Sequence, residues 1–269
     1  MEVLIPEGYW FSMMTVKYEG LTNVSVRIDG TIKASKRHTM YPFDLSYNEE
    51  KDTWKYRVHH FLQFDWAKKV VFKGKGTVDG QGFMWWMREY IVNNPYERPN
   101  LIDMNYGQQI EFTGIRWLNS PMYNINVRDC ADYYFHDFEI YTDIWGQFVI
   151  GQFFGQHDSM GDGLFSMPTF PLNTDGIDPS CRNVLIERVK ITNFDDAVAV
   201  KPSNMKGKVS TCAENIMVKD CEIVYGVGMT IGSVPASDHY NCVRNVSFVN
   251  HTFHHPFKAI YVKTNPGKT

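Results

Sequence analysis

"RNVLIERVKITNFDDAVAVK", residues 182–201, is followed by two further segments built to the same plan. It aligns without a gap over 20 residues with "ENIMVKDCEIVYGVGMTIGS" from Glu214 and "RNVSFVNHTFHHPFKAIYVK" from Arg244. The starts are offset by 32 residues (214 − 182) and 30 residues (244 − 214). Each copy places Asn before apolar or β-branched residues at alternating positions, crosses a short polar or glycine-containing break, and enters a second short strand. No amphipathic helix fits between them. Units of this kind read as coils of a parallel β-helix, because one coil cannot bury its own inward face and has to stack on the next.

Similar strand openings recur upstream at "TNVSVRIDG", "KKVVFKGKGTVDG", "QQIEFTGIRWLNS" and "DYYFHDFEIYTD". About seven coils then cover almost the whole chain, which reads as one all-β domain over residues 1–269. The recurring Asn183, Asn215 and Asn245 are expected to form a hydrogen-bonded ladder along one turn, as stacked Asn side chains do. The glycines of "GKGTVDGQG" are read as corner residues.

With 269 residues, 43% apolar and 21% charged, the chain can bury one substantial core or two small ones. A net charge of −3 without Lys/Arg runs disfavours nucleic acid or an anionic membrane as partner. No apolar run approaches the roughly 18 residues of a membrane span, and no secretory-type leader follows Met1. Three sequons, at Asn23, Asn245 and Asn250, are compatible with secretion. Five cysteines show no metal-type spacing, and Cys130 and Cys221, each beside a strand-like run, are expected to be core thiols.

The repeat alignment also maps neighbours, because equivalent positions of successive coils lie about 4.8 Å apart. Asp195 falls with Val227 and Phe257, Asp196 with Gly228 and Lys258, Ala199 with Tyr261, and Lys201 with Ser233 and Lys263. Period-2 alternation points Val198, Val200, Ile260 and Val262 inward and Ala199, Lys201, Tyr261 and Lys263 outward. Ile231 breaks the parity, so a one-residue bulge is expected in the middle unit. The preceding "NTDGID", residues 173–178, brings Asp175 beside Asp195 and Asp196. Clustered carboxylates cannot all ionise cheaply, so one holds a proton near neutrality, as a general acid requires. A carboxyl donor with a water-activating carboxylate opposite it is the arrangement of an inverting glycosidase.

These motifs resemble the polygalacturonases and rhamnogalacturonan hydrolases of glycoside hydrolase family 28, enzymes with a single-stranded, right-handed parallel β-helix of the pectin-lyase-like type. "VLIPEGYW", "GKGTVDGQGFMWW" and "WLNSPMYNINV" look like the family's early segments, and the resemblance runs over essentially the full chain. "NTDG" is identical to a catalytic motif of the family, and "DDAVAV" resembles its Asp-Asp-Cys-Val-Ala-Val. The resemblance implies Asp195 as general acid and Asp175 and Asp196 as the water-activating pair. Two motifs depart from it: "GVG" stands where Gly-His-Gly is common, and "YVK" where Arg-Ile-Lys is common. Val227 and Tyr261 therefore replace the usual His and Arg while Lys263 is kept, a pattern similar to that of the rhamnogalacturonan hydrolases.

Substrate contacts are expected from Lys263 and Lys201 to a uronate carboxylate, and from Tyr261 by stacking on a sugar face. No metal or organic cofactor is expected; His157, Asp158 and Asp162 lack metal-ligand spacing. The partner is a pectin-like, uronate-containing polysaccharide, and the protein is expected to act as a secreted monomer. Residues 141–172 read as a loop inserted beside the cleft, and both ends read as cut from a longer family member. Two rival readings are a calcium-dependent polysaccharide lyase on the same fold and a non-catalytic carbohydrate-binding β-helix.

Overall fold

Short strands whose apolar residues alternate with polar ones have one way to hide the apolar set, which is to wind it round a common axis. The chain does this as a single-stranded right-handed parallel β-helix. The structure, a computed structural model, describes residues 1–37, 40–48, 53–91, 96–143, 171–202, 207–235 and 241–265.

Three parallel ladders run along the helix. The first stacks Val16–Glu19, Leu62–Asp65, Ile102–Asn105, the openings of Ile125–Tyr141 and Ile177–Thr192, then Asp196–Val200, Gly228–Val234 and Ile260–Thr264. The second stacks Glu2–Ile5, Thr22–Ile28, Lys68–Lys73, Gln108–Thr113, the middles of the two long strands, Ala213–Lys219 and Val243–Val249. The third runs from Trp10–Met13 through Thr31–Ala34, Thr77–Asp79, Arg116–Leu118 and the ends of the long strands to Glu222–Val224 and Thr252–His254. Each ladder holds eight strand positions among the described residues, one more than the repeat count suggested.

Inward side chains rise in columns. Phe72, Phe112 and Phe135 stack with centroids 4.8 and 5.0 Å apart, and Val78, Trp117, Ile140, Ile191 and Ile223 are buried in the third ladder. Burying side chains of this size contributes about 1.5–3 kcal/mol each. The corner before the second ladder carries one left-handed residue per coil, with φ between 50° and 61° at Asn23, Lys69, Gln109, Asp132, Asn183, Asn215 and Asn245. The expected ladder forms there: the Asn245 amide donates to Asn215 (2.7 Å), Asn215 to Asn183 (3.1 Å) and Asn183 to the Asp132 carboxylate (2.9 Å).

Two expectations need correction. Cys130 is not a thiol: it faces Cys181 in the neighbouring coil, with Cα atoms 4.6 Å apart, and the two are disulfide-bonded. Cys212 pairs with Cys242, which leaves Cys221 as the buried free thiol. Lys263 pairs with Gly232 rather than Ser233, because this pairing runs one residue off the repeat alignment from Met229–Ile260 onward, and Ser233 is then skipped at the irregularity between Gly232 and Val234. An antiparallel hairpin, Phe43–Asn48 with Thr53–Val58, joined by Tyr96–Glu97, and a helix, Phe83–Ile91, interrupt the coils without having been expected. Most of the expected 141–172 insertion, residues 144–170 with His157, Asp158 and Asp162, lies outside the described residues. No helix among the described residues is long and apolar enough to cross a membrane.

The Asn ladder generates a stability prediction. Replacing Asn215 by Ala removes two ladder bonds and leaves a β-carbon in the left-handed region, which is expected to cost about 1–2 kcal/mol. Asn215→Gly is expected to cost less, since Gly accepts that backbone freely. Urea denaturation of the two variants checks this: equal losses would remove the backbone contribution.

Candidate active site

Asp175 is delivered by the turn that leads into the first ladder, and its backbone is held by amide side chains. Asn124 Nδ2 donates to the Thr174 and Asp175 carbonyls (3.3 and 3.0 Å), and Asn193 Nδ2 to those of Thr174 and Asp196 (3.0 and 2.8 Å). Two neighbouring coils are thereby fixed to each other at the site. Gly176 is required because a β-carbon there would stand 2.3 Å from the Ala197 carbonyl oxygen. The buried Arg98 guanidinium donates to the carbonyls of Pro121 (3.1 Å) and Leu172 (2.7 Å) and to Asn173 Oδ1 (3.0 Å), bracing the turn from below.

Asp175, Asp195 and Asp196 converge, with one carboxylate oxygen of each within 4.8 Å of the others. Asp175 and Asp196 are buried at 2% and 3% exposure, whereas Asp195 stays partly open to solvent. Both Asp195 oxygens accept backbone N–H groups, from Asp196 (2.9 Å) and Asn173 (3.0 Å). Asp196 Oδ1 accepts two hydroxyls, from Thr230 (2.7 Å) and Tyr261 (2.5 Å). The Lys201 ammonium donates to Asp175 Oδ2 (3.2 Å) and Asp178 Oδ2 (2.5 Å) and lies over the Tyr123 ring at 4.5 Å.

Burial sets the electrostatics. It pushes the Asp175 carboxyl well above the usual range, helped by the charge of Asp178, while Lys201 pulls the other way. Asp178 is raised to about 6, again chiefly by burial and against the pull of Lys201. Asp195 is raised by burial and by Asp196, opposed by its two N–H donors and by the charge of Lys263. Burial alone would lower Lys201, yet Asp178 and Asp175 hold its proton firmly and the net shift is upward. The cluster thus keeps a partly exposed carboxyl, able to deliver a proton, beside buried carboxylates that can take one up.

The structure brings together Asp175, Asp195, Asp196, Lys201 and Tyr261, and it places Lys263 within electrostatic reach of Asp195. Tyr261 spends its hydroxyl on Asp196, and Lys201 is the counter-ion of two aspartates. Asp178, Thr230 and Tyr123 were missed. The signal for Asp178 lay in "NTDGID" itself, since it is the first outward residue of the strand that Asp175 introduces. His254 faces Glu222 at 3.3 Å and His255 stacks near Tyr225 at 6.0 Å, so neither stands in for the histidine replaced by Val227. Three carboxylates at this spacing could bind a divalent cation. Both Asp195 oxygens, Asp196 Oδ1 and Asp175 Oδ2 are engaged by amides, hydroxyls and an ammonium, while Asp175 Oδ1 is buried without a hydrogen-bond partner.

The sequence profile described as Glycosyl hydrolases family 28 matches residues 1–269. An exopolygalacturonase of Platanus acerifolia is 25% identical over 270 residues, covering 98% of this chain and 58% of the relative. A probable endo-xylogalacturonan hydrolase A of Aspergillus flavus is 25% identical over 269 residues, covering 98% and 55%. The chain therefore spans little more than half the length of these relatives. Among solved structures, the endo-xylogalacturonan hydrolase of Aspergillus tubingensis superposes with a TM-score of 0.75 at 19% identity, covering 100% of this chain and 61% of that one.

Two measurements follow from the site geometry. Asp175 and Asp178 have folded-state pKa values above their unfolded ones, so their contribution to stability is present below pH 3.8 and lost as the pH rises through the folded values, about 6 for Asp178. Lys201→Met raises those values further; its destabilisation is expected to be smallest below pH 3.8 and to reach about 3 kcal/mol at neutral pH. A pH-independent loss in thermal or urea melts would contradict the ion-pair account. For Tyr261→Phe, loss of the hydroxyl on Asp196 is expected to lower kcat about tenfold with KM little changed. A raised KM at constant kcat would instead place the hydroxyl on the substrate rather than on Asp196.

Proposed function

The chain belongs to the glycosyl hydrolases of family 28, and from that premise we propose that it cleaves glycosidic bonds of a pectic, uronate-containing polysaccharide by single displacement. The observation that carries this reading is Asp195, a partly exposed carboxyl with a raised pKa beside two buried carboxylates. Asp195 donates its proton to the leaving glycosidic oxygen. Asp175 and Asp196 hold a water between them and take its proton as it attacks the anomeric carbon, so one proton enters the substrate and one leaves the water. A raised pKa makes Asp175 the stronger base once it is ionised. Thr230 and Tyr261 keep the Asp196 carboxylate aimed, and Lys201 prevents the buried acids from repelling one another apart.

Lys263 is assigned the carboxylate of the sugar at the cleavage point, where Tyr261 stands in place of an arginine. Relatives named for polygalacturonan and xylogalacturonan support a galacturonan backbone. Two disulfides and three sequons support action outside the cell on wall polysaccharide, since disulfides persist in oxidising compartments. The catalytic cluster is complete within one chain, which supports action as a monomer.

One observation favours a second stereochemical outcome. Carboxyl groups about 5–5.5 Å apart are typical of double displacement, in which a carboxylate attacks the sugar directly. The oxygens here lie within 4.8 Å of each other. We place inversion first because two carboxylates share the water and Asp195, the acid, stands apart from them in exposure.

Turnover of polygalacturonate and xylogalacturonan, with the first-formed anomer read by NMR, tests both outcomes. Inversion is expected, with Asp195→Asn at least about a hundredfold slower and EDTA without effect. A retained anomer would transfer the nucleophile's role to a carboxylate, and loss of activity in EDTA with unsaturated products would mean a lyase.

A further inference from the structure

Two adjoining cavities, of about 300 and 170 Å³, open on the outward face of the first ladder on the side of the site nearer the N-terminal coils. Both are lined by Arg57, His60, Asp103 and Arg128, so they form one continuous trough. It begins at Tyr123, the ring beneath the Lys201 ammonium, and runs to Lys17. The register connects it to the catalytic cluster, because Asp178 pairs with Asn126 and Asn126 with Asp103.

The trough is built around a charge that is already satisfied. Asp103 is 0% exposed and accepts from Asn126 (2.7 Å), Arg128 Nη2 (2.9 Å), Asn100 (3.0 Å) and Asn105 (3.3 Å), with His60 Nε2 at 3.5 Å. His60 is locked, since its Nδ1 accepts the Asn100 N–H at 3.0 Å. Asp103 thus fixes the Arg128 guanidinium in place, while Arg128 Nε is buried without a hydrogen-bond partner. Arg57, from the unexpected hairpin, is 64% exposed at its side chain and only loosely paired with Glu97 at 3.5 Å. Lys17, Arg57, Arg98 and Arg128 face Asp44, Glu97 and Asp103, a positive balance in a chain of net charge −3. The catalytic cluster is the opposite, with four aspartates around one lysine.

We propose that this trough is a distal subsite that grips a carboxylate of the bound polysaccharide, through Arg128 and Arg57, two to three coils from the bond that is cut. A preorganised guanidinium suits a carboxylate, which takes two parallel N–H donors. At about 4.8 Å per coil the trough lies roughly 10–15 Å from the cleavage point. A chain laid along the ladder is then held by charge at the trough and by Lys263 beyond the aspartates, so its uronates bracket the acidic centre. This assignment rests on the reading of the substrate as uronate-containing.

Calorimetry on the full chain with hexagalacturonate and its carboxyl-reduced counterpart tests the proposal separately from turnover. The charged hexamer is expected to bind about tenfold more tightly. Arg57→Gln and Arg128→Gln are each expected to lose most of that difference, and to raise KM with kcat held. Arg128→Gln removes a partner of buried Asp103 and is read only if its thermal melt matches the parent; Arg57→Gln, at an exposed position, carries the test otherwise. Equal binding of the two hexamers, or unchanged binding by Arg57→Gln, would overturn the subsite. Charge-dependent binding without hydrolysis of any uronate polymer would leave the subsite standing and remove the proposed hydrolase, whereas hydrolysis with unaltered KM in both variants would do the reverse.

Discussion

A coil of this chain has an inward face that it cannot cover by itself, and every other feature depends on that constraint. Covering it demands that the next coil lie directly above, at the strand spacing of about 4.8 Å, with its apolar residues in the same columns. The Phe72–Phe112–Phe135 stack is the visible result. The same repeat distance then acts on the outward face, where it sets side chains from successive coils side by side whether or not they attract.

At one place it sets acids together. Asp175, Asp178, Asp195 and Asp196 come from two segments of the chain; all but the partly open Asp195 are pressed into a volume that water hardly enters. Ionised carboxylates there cost several kcal/mol each unless paired. The chain meets this cost by three means: a buried ammonium, backbone and hydroxyl donors, and protons retained above the usual pH range. The last of these is also what makes the cluster chemically useful. Where family relatives commonly carry an arginine, Tyr261 turns its hydroxyl onto Asp196 and so joins the donors that meet the buried charge.

Much of this was legible in the residues. The period-2 alternation and the near-30-residue repeat identified the solenoid, the ladder of Asn183, Asn215 and Asn245, and the convergence of three aspartates, because a repeat with fixed spacing translates sequence offset into distance. What could not be read were departures from the repeat. The last coil pairs one residue off the repeat alignment from Met229–Ile260 onward, which suffices to exchange Ser233 for Gly232 opposite Lys263. The Cys130–Cys181 bond joins residues 51 apart across an insertion, so no spacing rule announces it. The hairpin that supplies Arg57 carries no copy of the repeat and was invisible to a method built on copies.

The sequence by itself determined the architecture, the inward columns and the convergence of Asp175, Asp195 and Asp196, since each follows from local alternation and from repeat length. The tertiary structure alone decided which partner each charged group takes: Lys201 for Asp175 and Asp178, two hydroxyls for Asp196, Arg128 for Asp103. Pairing of that kind depends on distances of a few tenths of an ångström and on which water is excluded. Those quantities exist only once every coil has been stacked on its neighbour.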